Sequence, residues 1–181
     1  NYSVTKAAGT LKVTNATITA SKSNYSGTYD GAAHSGSVSV SGPSSYTIKY
    51  GTTSGSYTTT TKPTRTSVGT TTVYYQVTAS NYTTVTGSFT ITITARATTV
   101  TAASAEKVYN GSALTKTSGG TATNLVSGHT ATITNTGSQT NVGSSSNTVS
   151  KVVIKDASGN DVTSNYSVTK AAGTLKVTNA T

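Results

Sequence analysis

The apolar and polar residues of this chain alternate with a period of two through most of its length. Two long segments show this most clearly, with apolar side chains on one face: Val73, Tyr75 and Val77 within residues 70–79, and Phe89, Ile91 and Ile93 within residues 88–94. Shorter segments repeat it at Val38/Val40, Tyr46/Ile48/Tyr50, Ala131/Ile133, Val152/Ile154 and Leu175/Val177. Strict alternation is typical of half-buried antiparallel strands. Because no segment has helical spacing, the pattern predicts an all-β fold.

Turn signals separate the alternating segments. They are Asp30-Gly31, Asn110-Gly111 and Ser158-Gly159-Asn160, which supply the positive φ angles that tight turns need. Short strands with frequent turns are typical of β-sandwiches. The sequence therefore predicts antiparallel β-sandwich architecture.

One stretch of the sequence occurs twice. NYSVTKAAGTLKVTNAT runs from Asn1 to Thr17 and again, without a difference, from Asn165 to Thr181. Copies this far apart indicate tandem domains rather than a solenoid, whose repeats usually have about 20–50 residues. We therefore interpret the chain as part of a tandem array. Residues 1–17 are predicted to be the closing segment of a preceding repeat, running into the first module.

A weaker repeat lies inside the longer one. Residues 28–33 (TYDGAA) correspond to 108–113 (VYNGSA), 67–70 (SVGT) to 141–144 (NVGS), and 81–83 (NYT) to 165–167 (NYS). We therefore predict two small modules, residues 18–96 and residues 97–181. A module of about 80 residues buries little more than about 60% of its unfolded surface, so we expect each neighbour to add stability.

The composition suits strands more than helices. Only 33% of the residues are apolar and 9% are charged, against usual values of about 45–50% and 25%. Much of the remainder is Thr, which is β-branched and favours strands. Regular alternation argues against disorder, which such low hydrophobicity would otherwise allow.

The chain is basic, with a net charge of +9 from 13 basic and 4 acidic residues. Because the basic residues are scattered singly and accompany no recognition motif, nucleic-acid binding is not expected. Weak attraction to anionic cell-wall polymers or host glycans follows from the same charge. There is no cysteine for a disulfide. No run approaches the roughly 18 apolar residues of a membrane span, and we expect any export signal or anchor to lie elsewhere in the parent protein.

Module two resembles a known family. The segments that show the resemblance are SAEKVYNG at residues 104–111, NVG at 141–143, the turn DASG at 156–159, and the stretch from Asn165 to Val177. These resemble the MBG and YDG families, immunoglobulin-like repeats of large bacterial surface proteins. Module one matches them less, through Tyr29-Asp30-Gly31 and Val68-Gly69. The resemblance implies two tandem immunoglobulin-like β-sandwich modules on an adhesin or stalk, and it implies no catalytic residues.

Candidate chemistry is sparse. A hydrolase needs two positioned carboxylates or a nucleophile with a histidine and an acid. The chain has four acids, Asp30, Glu106, Asp156 and Asp161, and two histidines, His34 and His129. Asn110 stands at the position of module two that corresponds to Asp30, and this exchange suits a turn rather than an acid catalyst. We expect no catalytic, cofactor-binding or metal residues and no cofactor.

Other chemistries remain alternatives. An EF-hand counted from Asp156 would need Gly and Glu where Asp161 and Ser167 stand, so a hairpin turn is the favoured interpretation over calcium binding. A Lys–Asn isopeptide or Thr–Gln ester cross-link would need a buried acid beside the reacting pair, whereas Asp30 and Glu106 lie in or near predicted turns. Asn-x-Ser/Thr triplets, the acceptor motif for N-glycosylation, arise from composition alone in a chain this rich in Ser and Thr, so they give no evidence for glycosylation. The tyrosines are interpreted as core-edge packing, with sugar-stacking platforms as the alternative.

The function predicted is a structural stalk or spacer repeat of a bacterial cell-surface adhesin, projecting a distal binding domain. The alternative is a module that itself binds a glycan or a host protein. In both cases the chain is extracellular and not an enzyme. Its expected partners are neighbouring modules of the same chain, and it has no membrane span of its own.

Overall fold

The computed structural model describes residues 1–180, which form fifteen strands. They are β1 (Ala16–Thr17), β2 (Thr19–Ser23), β3 (Tyr25–Thr28), β4 (Ser37–Ser41), β5 (Thr47–Gly51), β6 (Gly69–Thr78), β7 (Tyr82–Thr83), β8 (Val85–Thr94), β9 (Arg96–Ala102), β10 (Ala105–Val108), β11 (Gly120–Ala122), β12 (Thr130–Thr136), β13 (Gly143–Lys155), β14 (Tyr166–Ala171) and β15 (Gly173–Thr178). A single 3-10 turn, Thr163–Asn165, precedes β14. The all-β prediction is confirmed, because the described residues contain no α-helix.

By their contacts the residues form two compact units. Unit 1 comprises Asn1–Tyr25, Ser35–Thr64 and Thr71–Ile91, and unit 2 comprises Ser26–His34, Arg65–Thr70 and Thr92–Thr181. Residues 26–34, 65–70 and 92–96 therefore belong to unit 2, although the sequence places them in module one. The predicted module boundary between residues 96 and 97 stays a prediction.

The core of unit 1 follows the predicted alternation. Its buried residues are Ile18, Tyr50, Val73, Tyr75, Val77, Phe89 and Ile91. In the first half of the chain β2 pairs with β4, and a four-stranded sheet has the order β3-β8-β6-β5. Residues at every second position of β6 and β8 are buried, because successive side chains of a strand point to opposite faces.

Unit 2 contains a three-stranded sheet, β11-β9-β14, and a four-stranded sheet, β10-β15-β13-β12. Val100, Ala102, Ile133 and Val149 form one buried cluster, and Ile154, Leu175 and Val177 are also fully or almost fully buried. The prediction that Leu175 and Val177 face the core is therefore confirmed.

Some strand pairs are parallel, which the alternation did not predict. β9 pairs with β14, as in Arg96 with Tyr166, and β10 pairs with β15, as in Ala105 with Leu175. β1 also pairs with β7 in the parallel direction. The prediction of antiparallel sheets is thus wrong at these strands. Alternation reports which face of a strand is buried, and it carries no information on the direction of the partner.

The two copies of the doubled stretch have different structures. In the second copy β14 pairs with β9, and β15 lies between β10 and β13. In the first copy residues 1–15 form no strand, and each of them is exposed. Tyr2, Leu11 and Val13 have almost their whole side-chain surface in water.

The internal repeat recurs in hydrogen bonds. The Tyr29 N–H donates to the Thr94 carbonyl at 2.9 Å, and the Tyr109 N–H donates to the Thr178 carbonyl at 2.9 Å. In each case the residue after a short strand, β3 or β10, is joined to the last residue of a later strand, β8 or β15. The same backbone arrangement thus occurs twice along the chain, as the internal repeat predicts.

Candidate functional site

Three of the four acids of the chain serve its turns. Asp30 Oδ1 accepts the Ala32 N–H at 2.9 Å and contacts His34 Nε2 at 2.9 Å. Asn110 Oδ1 accepts the Ser112 N–H at 3.1 Å in the corresponding turn. The hydrogen bonds from His34 and the backbone hold the pKa of Asp30 below its usual 3.8. Asp30 and Asn110 thus accept the same backbone hydrogen bond in their two turns. This contact needs a side-chain oxygen and does not need an ionisable group.

The run from Asp156 to Asp161 is a turn, as the sequence predicted. Asp156 Oδ1 accepts the N–H groups of Ser158 and Asn160, each at 2.9 Å, and Gly159 has a φ of 84°. Asp161 Oδ1 accepts the Thr163 N–H at 2.9 Å. The side-chain hydrogen bonds from Asn160 and Thr163, respectively, lower the pKa values of Asp156 and Asp161 below 3.8. Each carboxylate therefore faces donors of its own turn.

No cluster of metal ligands is found in residues 1–180, since no three or more His, Asp or Glu side chains come together there. Glu106 forms an exposed ion pair with Lys176 at 3.2 Å. The Lys107 ammonium donates to Asn110 Oδ1 at 2.8 Å, but this Lys–Asn pair lies in an exposed turn. An isopeptide cross-link needs a buried acid beside the reacting pair. Glu106, the residue before Lys107, is exposed and pairs its carboxylate with Lys176 instead.

The most tightly organised polar site of unit 2 is the Tyr–His cluster, formed by Tyr29, His129 and Tyr166. The ring centroids of Tyr29 and Tyr166 are 5.6 Å apart at 78°, and those of His129 and Tyr166 are 6.0 Å apart at 65°. Both tyrosines are buried. Such edge-to-face contacts add to the free energy gained from burial.

The hydroxyl of Tyr166 has two polar partners at the cluster. The Tyr166 hydroxyl lies 2.8 Å from His129 Nδ1 and accepts the Val126 N–H at 3.1 Å. Asn165 Oδ1 accepts the Val68 N–H at 2.9 Å. Burial raises the pKa of Tyr29 above its usual 10.0. These contacts hold the backbone at Val126 and Val68 in position.

A second polar contact secures the start of β9. Arg96 donates from Nε to the Asn124 carbonyl at 2.7 Å and from Nη2 to Asn124 Oδ1 at 2.9 Å. Its Nη1 lies 3.4 Å from the Tyr29 carbonyl. Asn124 has a φ of 57°, a conformation that Asn tolerates better than most residues, and its Nδ2 donates to the Ala97 carbonyl at 2.8 Å. This two-pronged guanidinium contact holds the loop at Asn124 against the first residues of β9.

Sequence reasoning located some of these residues and not others. The Asn-Tyr pairs and the turn at Tyr29 were singled out, and core-edge packing of tyrosine is confirmed at Tyr29 and Tyr166. His129 was considered only as a candidate for acid–base chemistry, and Arg96 only as a scattered basic residue. Their partners lie far away in the chain, and nothing in the local sequence pointed to them.

Three apolar side chains of unit 2 are exposed. Val108, Tyr109 and Val142 are each about half exposed. Val142 also lines a shallow groove with Lys176 and Asn179. Nothing in residues 1–180 forms a helix with the length and apolar character needed to cross a membrane.

Comparison with protein families and with curated proteins gives no match. Among solved structures the chain is similar to the Bacteroides ovatus mixed-linkage glucan utilization locus protein SGBP-B in complex with a mixed-linkage heptasaccharide, with 16% sequence identity and a TM-score of 0.29. The match covers 88% of this chain and 44% of that one, so this chain spans less than half its length. A likeness of this size does not bear on what the chain binds.

Proposed function

We propose that the chain is a structural repeat of a bacterial cell-surface adhesin, a spacer that holds a distal binding domain away from the cell wall. The resemblance of SAEKVYNG and of NYSVTKAAGTLKV to MBG and YDG repeats supports this proposal, as does the doubled stretch. The observation that carries it is the parallel pairing of β9 with β14 and of β10 with β15. In this proposal the chain is extracellular, its partners are neighbouring repeats, and it catalyses no reaction.

Parallel end strands resist tension for a geometric reason. In β9–β14 and β10–β15 the entering and leaving strands run side by side in the same direction, with six and four residue pairs. Tension between the start of β9 and the end of β15 therefore acts along the strands. It loads the hydrogen bonds of both pairs together, in shear, whereas an antiparallel hairpin pulled at its open end loses its bonds one after another.

The connection into β9 is short enough to pass tension on. β8 ends at Thr94 and β9 begins at Arg96, so Ala95 alone separates the two strands. Arg96 is the residue held by both polar groups of Asn124. A pull on the chain at this point is thus applied directly to the end of a paired strand, with no slack linker before it.

Single-molecule force spectroscopy tests the proposal. Because the chain has no cysteine, cysteine pairs can be introduced as attachment points at exposed positions. Ala97→Cys with Asn179→Cys applies the force in shear across both parallel pairs. Thr130→Cys with Lys155→Cys pulls at the open end of the β12–β13 antiparallel pair, where these two residues are partners, and is the matched control.

We expect unit 2 to rupture at a several-fold higher force in the shear geometry than in the control geometry. Equal rupture forces, or a lower force in shear, would contradict the spacer proposal. The rupture force increases with the number of hydrogen bonds that share the load. Both geometries are measured on the same unit and at the same loading rate, so that only the pulling direction differs.

A second function rests on the exposed surface of Val108, Tyr109 and Val142. An exposed apolar patch of a few hundred Å² often marks a binding site, and an exposed tyrosine suits stacking on a sugar ring. In this alternative the module binds a glycan or a host protein. Binding of the full chain to a panel of cell-wall and host glycans, compared with Tyr109→Ala, tests it: an affinity lost with Tyr109 would favour it, and binding to no glycan would oppose it for this ligand class.

A further inference from the structure

The first copy of the doubled stretch is an exposed strand sequence with no strand partner over residues 1–15. Leu11 is 99% exposed and Val13 is 98% exposed. The residues with the same place in the second copy, Leu175 and Val177, are buried in unit 2. The unit 2 sheets thus contain a site that fits the sequence of residues 1–14 residue for residue.

We propose that, when residues 165–178 are displaced from unit 2, residues 1–14 of a second copy of this chain act as a donor segment and close the unit in their place. The occupant is defined by sequence identity, since every residue of the two stretches is the same. The donor would take up the pairing of β14 and β15 with β9, β10 and β13. Backbone pairing to an open sheet edge is an established mode of recognition. The proposal does not depend on the spacer function.

The end of β15 sets the point at which the donor chain leaves the acceptor. Asn179 and Ala180 are exposed after β15 ends. In a donor the corresponding residues are Asn15 and Ala16, and Ala16 begins the donor's own β1. The donor therefore leaves the acceptor sheet at an exposed point and enters its own fold directly after Asn15. Repetition of this contact produces a head-to-tail series of chains.

In the unaltered chain the internal copy has the advantage. Both copies offer the same contacts, so exchange gains no contact and loses the effective concentration of an intramolecular segment, which is on the order of millimolar for short connections. We therefore expect the unaltered chain to stay monomeric at micromolar concentration. Exchange appears when the internal copy is made unable to fit.

Gly9 and Gly173 provide a selective way to do this. They occupy the same place in the two copies. A Cβ added at Gly173 would lie 2.5 Å from the Ala102 carbonyl oxygen and 2.6 Å from that of Ala103, whereas a Cβ at Gly9 meets nothing within 4 Å. Valine at position 173 therefore displaces the internal copy, and valine at position 9 has no effect until residues 1–14 enter a second chain.

The experiment compares four full-length proteins by light scattering coupled to size exclusion. We expect Gly173→Val to form oligomers with masses in multiples of 18.2 kDa, increasing with concentration. Gly9→Val should stay monomeric. Gly173→Val with Gly9→Val should lose the oligomers, because neither copy fits. Gly173→Val with Ala8→Val is the matched control and should keep them, because Ala172, which corresponds to Ala8, is exposed.

The proposal is overturned if Gly173→Val and its Gly9→Val partner have the same mass distribution, or if Gly173→Val remains a folded monomer. A second variant with an open unit 2 tests the proposal if Gly173→Val does not fold. Leu175→Asp with Val177→Asp opens the same site, and a fluorescent peptide of residues 1–17 should bind this protein at least about tenfold more tightly than the same peptide with Gly9→Val. Equal binding of the two peptides would also overturn the proposal, and neither result bears on the rupture forces.

Discussion

Leu11 and Leu175 lie at the same place in two identical stretches of sequence, yet Leu11 lies in water and Leu175 is fully buried in unit 2. Local propensity is the same for both residues. The difference arises from β10 and β13, which lie on either side of β15. Burial in this fold is therefore decided by partner strands distant in sequence.

The first prediction uses this pair as its own control. Leu175→Ala should lower the free energy of unfolding by about 2–5 kcal/mol, because it leaves a cavity in a packed core. Leu11→Ala should change it by less than about 0.5 kcal/mol, as surface substitutions usually do. Urea unfolding followed by circular dichroism measures both. Similar losses would mean that the segment around Leu11 is packed in solution.

The second prediction concerns the Tyr–His cluster. Tyr166→Phe removes the hydroxyl that contacts His129 Nδ1 and accepts the Val126 N–H. We expect a loss of about 1–2 kcal/mol in the free energy of unfolding, because these groups lose a hydrogen-bond partner in a partly buried place. Tyr82→Phe is the control. Its hydroxyl donates to the Gly42 carbonyl at 3.2 Å in an exposed place where water can replace it, so its loss should be smaller. A larger loss for Tyr82→Phe would contradict the role given to the cluster.

The third prediction concerns a fully buried amide. Asn147 Nδ2 donates to the Ala103 carbonyl at 2.7 Å and to the Lys116 carbonyl at 2.9 Å. Asn147→Ala leaves both carbonyls without this donor, and we expect a loss on the order of 3 kcal/mol. Asn179→Ala, at an exposed position, should be nearly neutral. Denaturant midpoints measure both, and a neutral Asn147→Ala would show that water takes the place of the amide.

The fourth prediction concerns acid. Hydrogen bonds lower the folded-state pKa values of Asp30, Asp156 and Asp161 below 3.8. In the range between the folded and unfolded values, the unfolded state binds more protons, so stability rises with pH there. The contribution of these groups is therefore present above the unfolded pKa of 3.8 and is lost as the pH falls through the lower folded values. The denaturant midpoint should therefore decrease as the pH is lowered through this range. The midpoint of the Asp156→Asn protein, which keeps an Oδ1 acceptor but cannot titrate at this position, should decrease less steeply. An unchanged slope would contradict the role given to Asp156.

The sequence predicted the residues that face the core better than the partners of each strand. The alternation in β6 and β8 placed Val73, Val77 and Ile91 in the interior, where they lie. Tyr46 was grouped with Ile48 and Tyr50, but it precedes β5 and is about half exposed. Periodicity ends where a strand ends, and the sequence does not mark that point sharply.

The turns were predicted well because their signals are local in the sequence. The positive φ angles at Gly31 and Gly111, 81° and 79°, follow from the Asp-Gly and Asn-Gly pairs themselves. The parallel pairs and the contact of Arg96 with Asn124 depend on chain segments that are distant in sequence. No local signal encodes such contacts, and a single sequence leaves them open.

The long interval in sequence between the parallel end strands also sets a schedule for folding during synthesis. Arg96 pairs with Tyr166, and at about 5–20 residues per second β14 follows β9 out of the ribosome by roughly 4–14 s. Throughout that interval the edges of β9 and β10 lack their closing strands, while a segment with the same sequence, residues 1–14, has already been made. During those seconds the nascent chain presents open strand edges, the part of a sheet that most readily pairs with another strand.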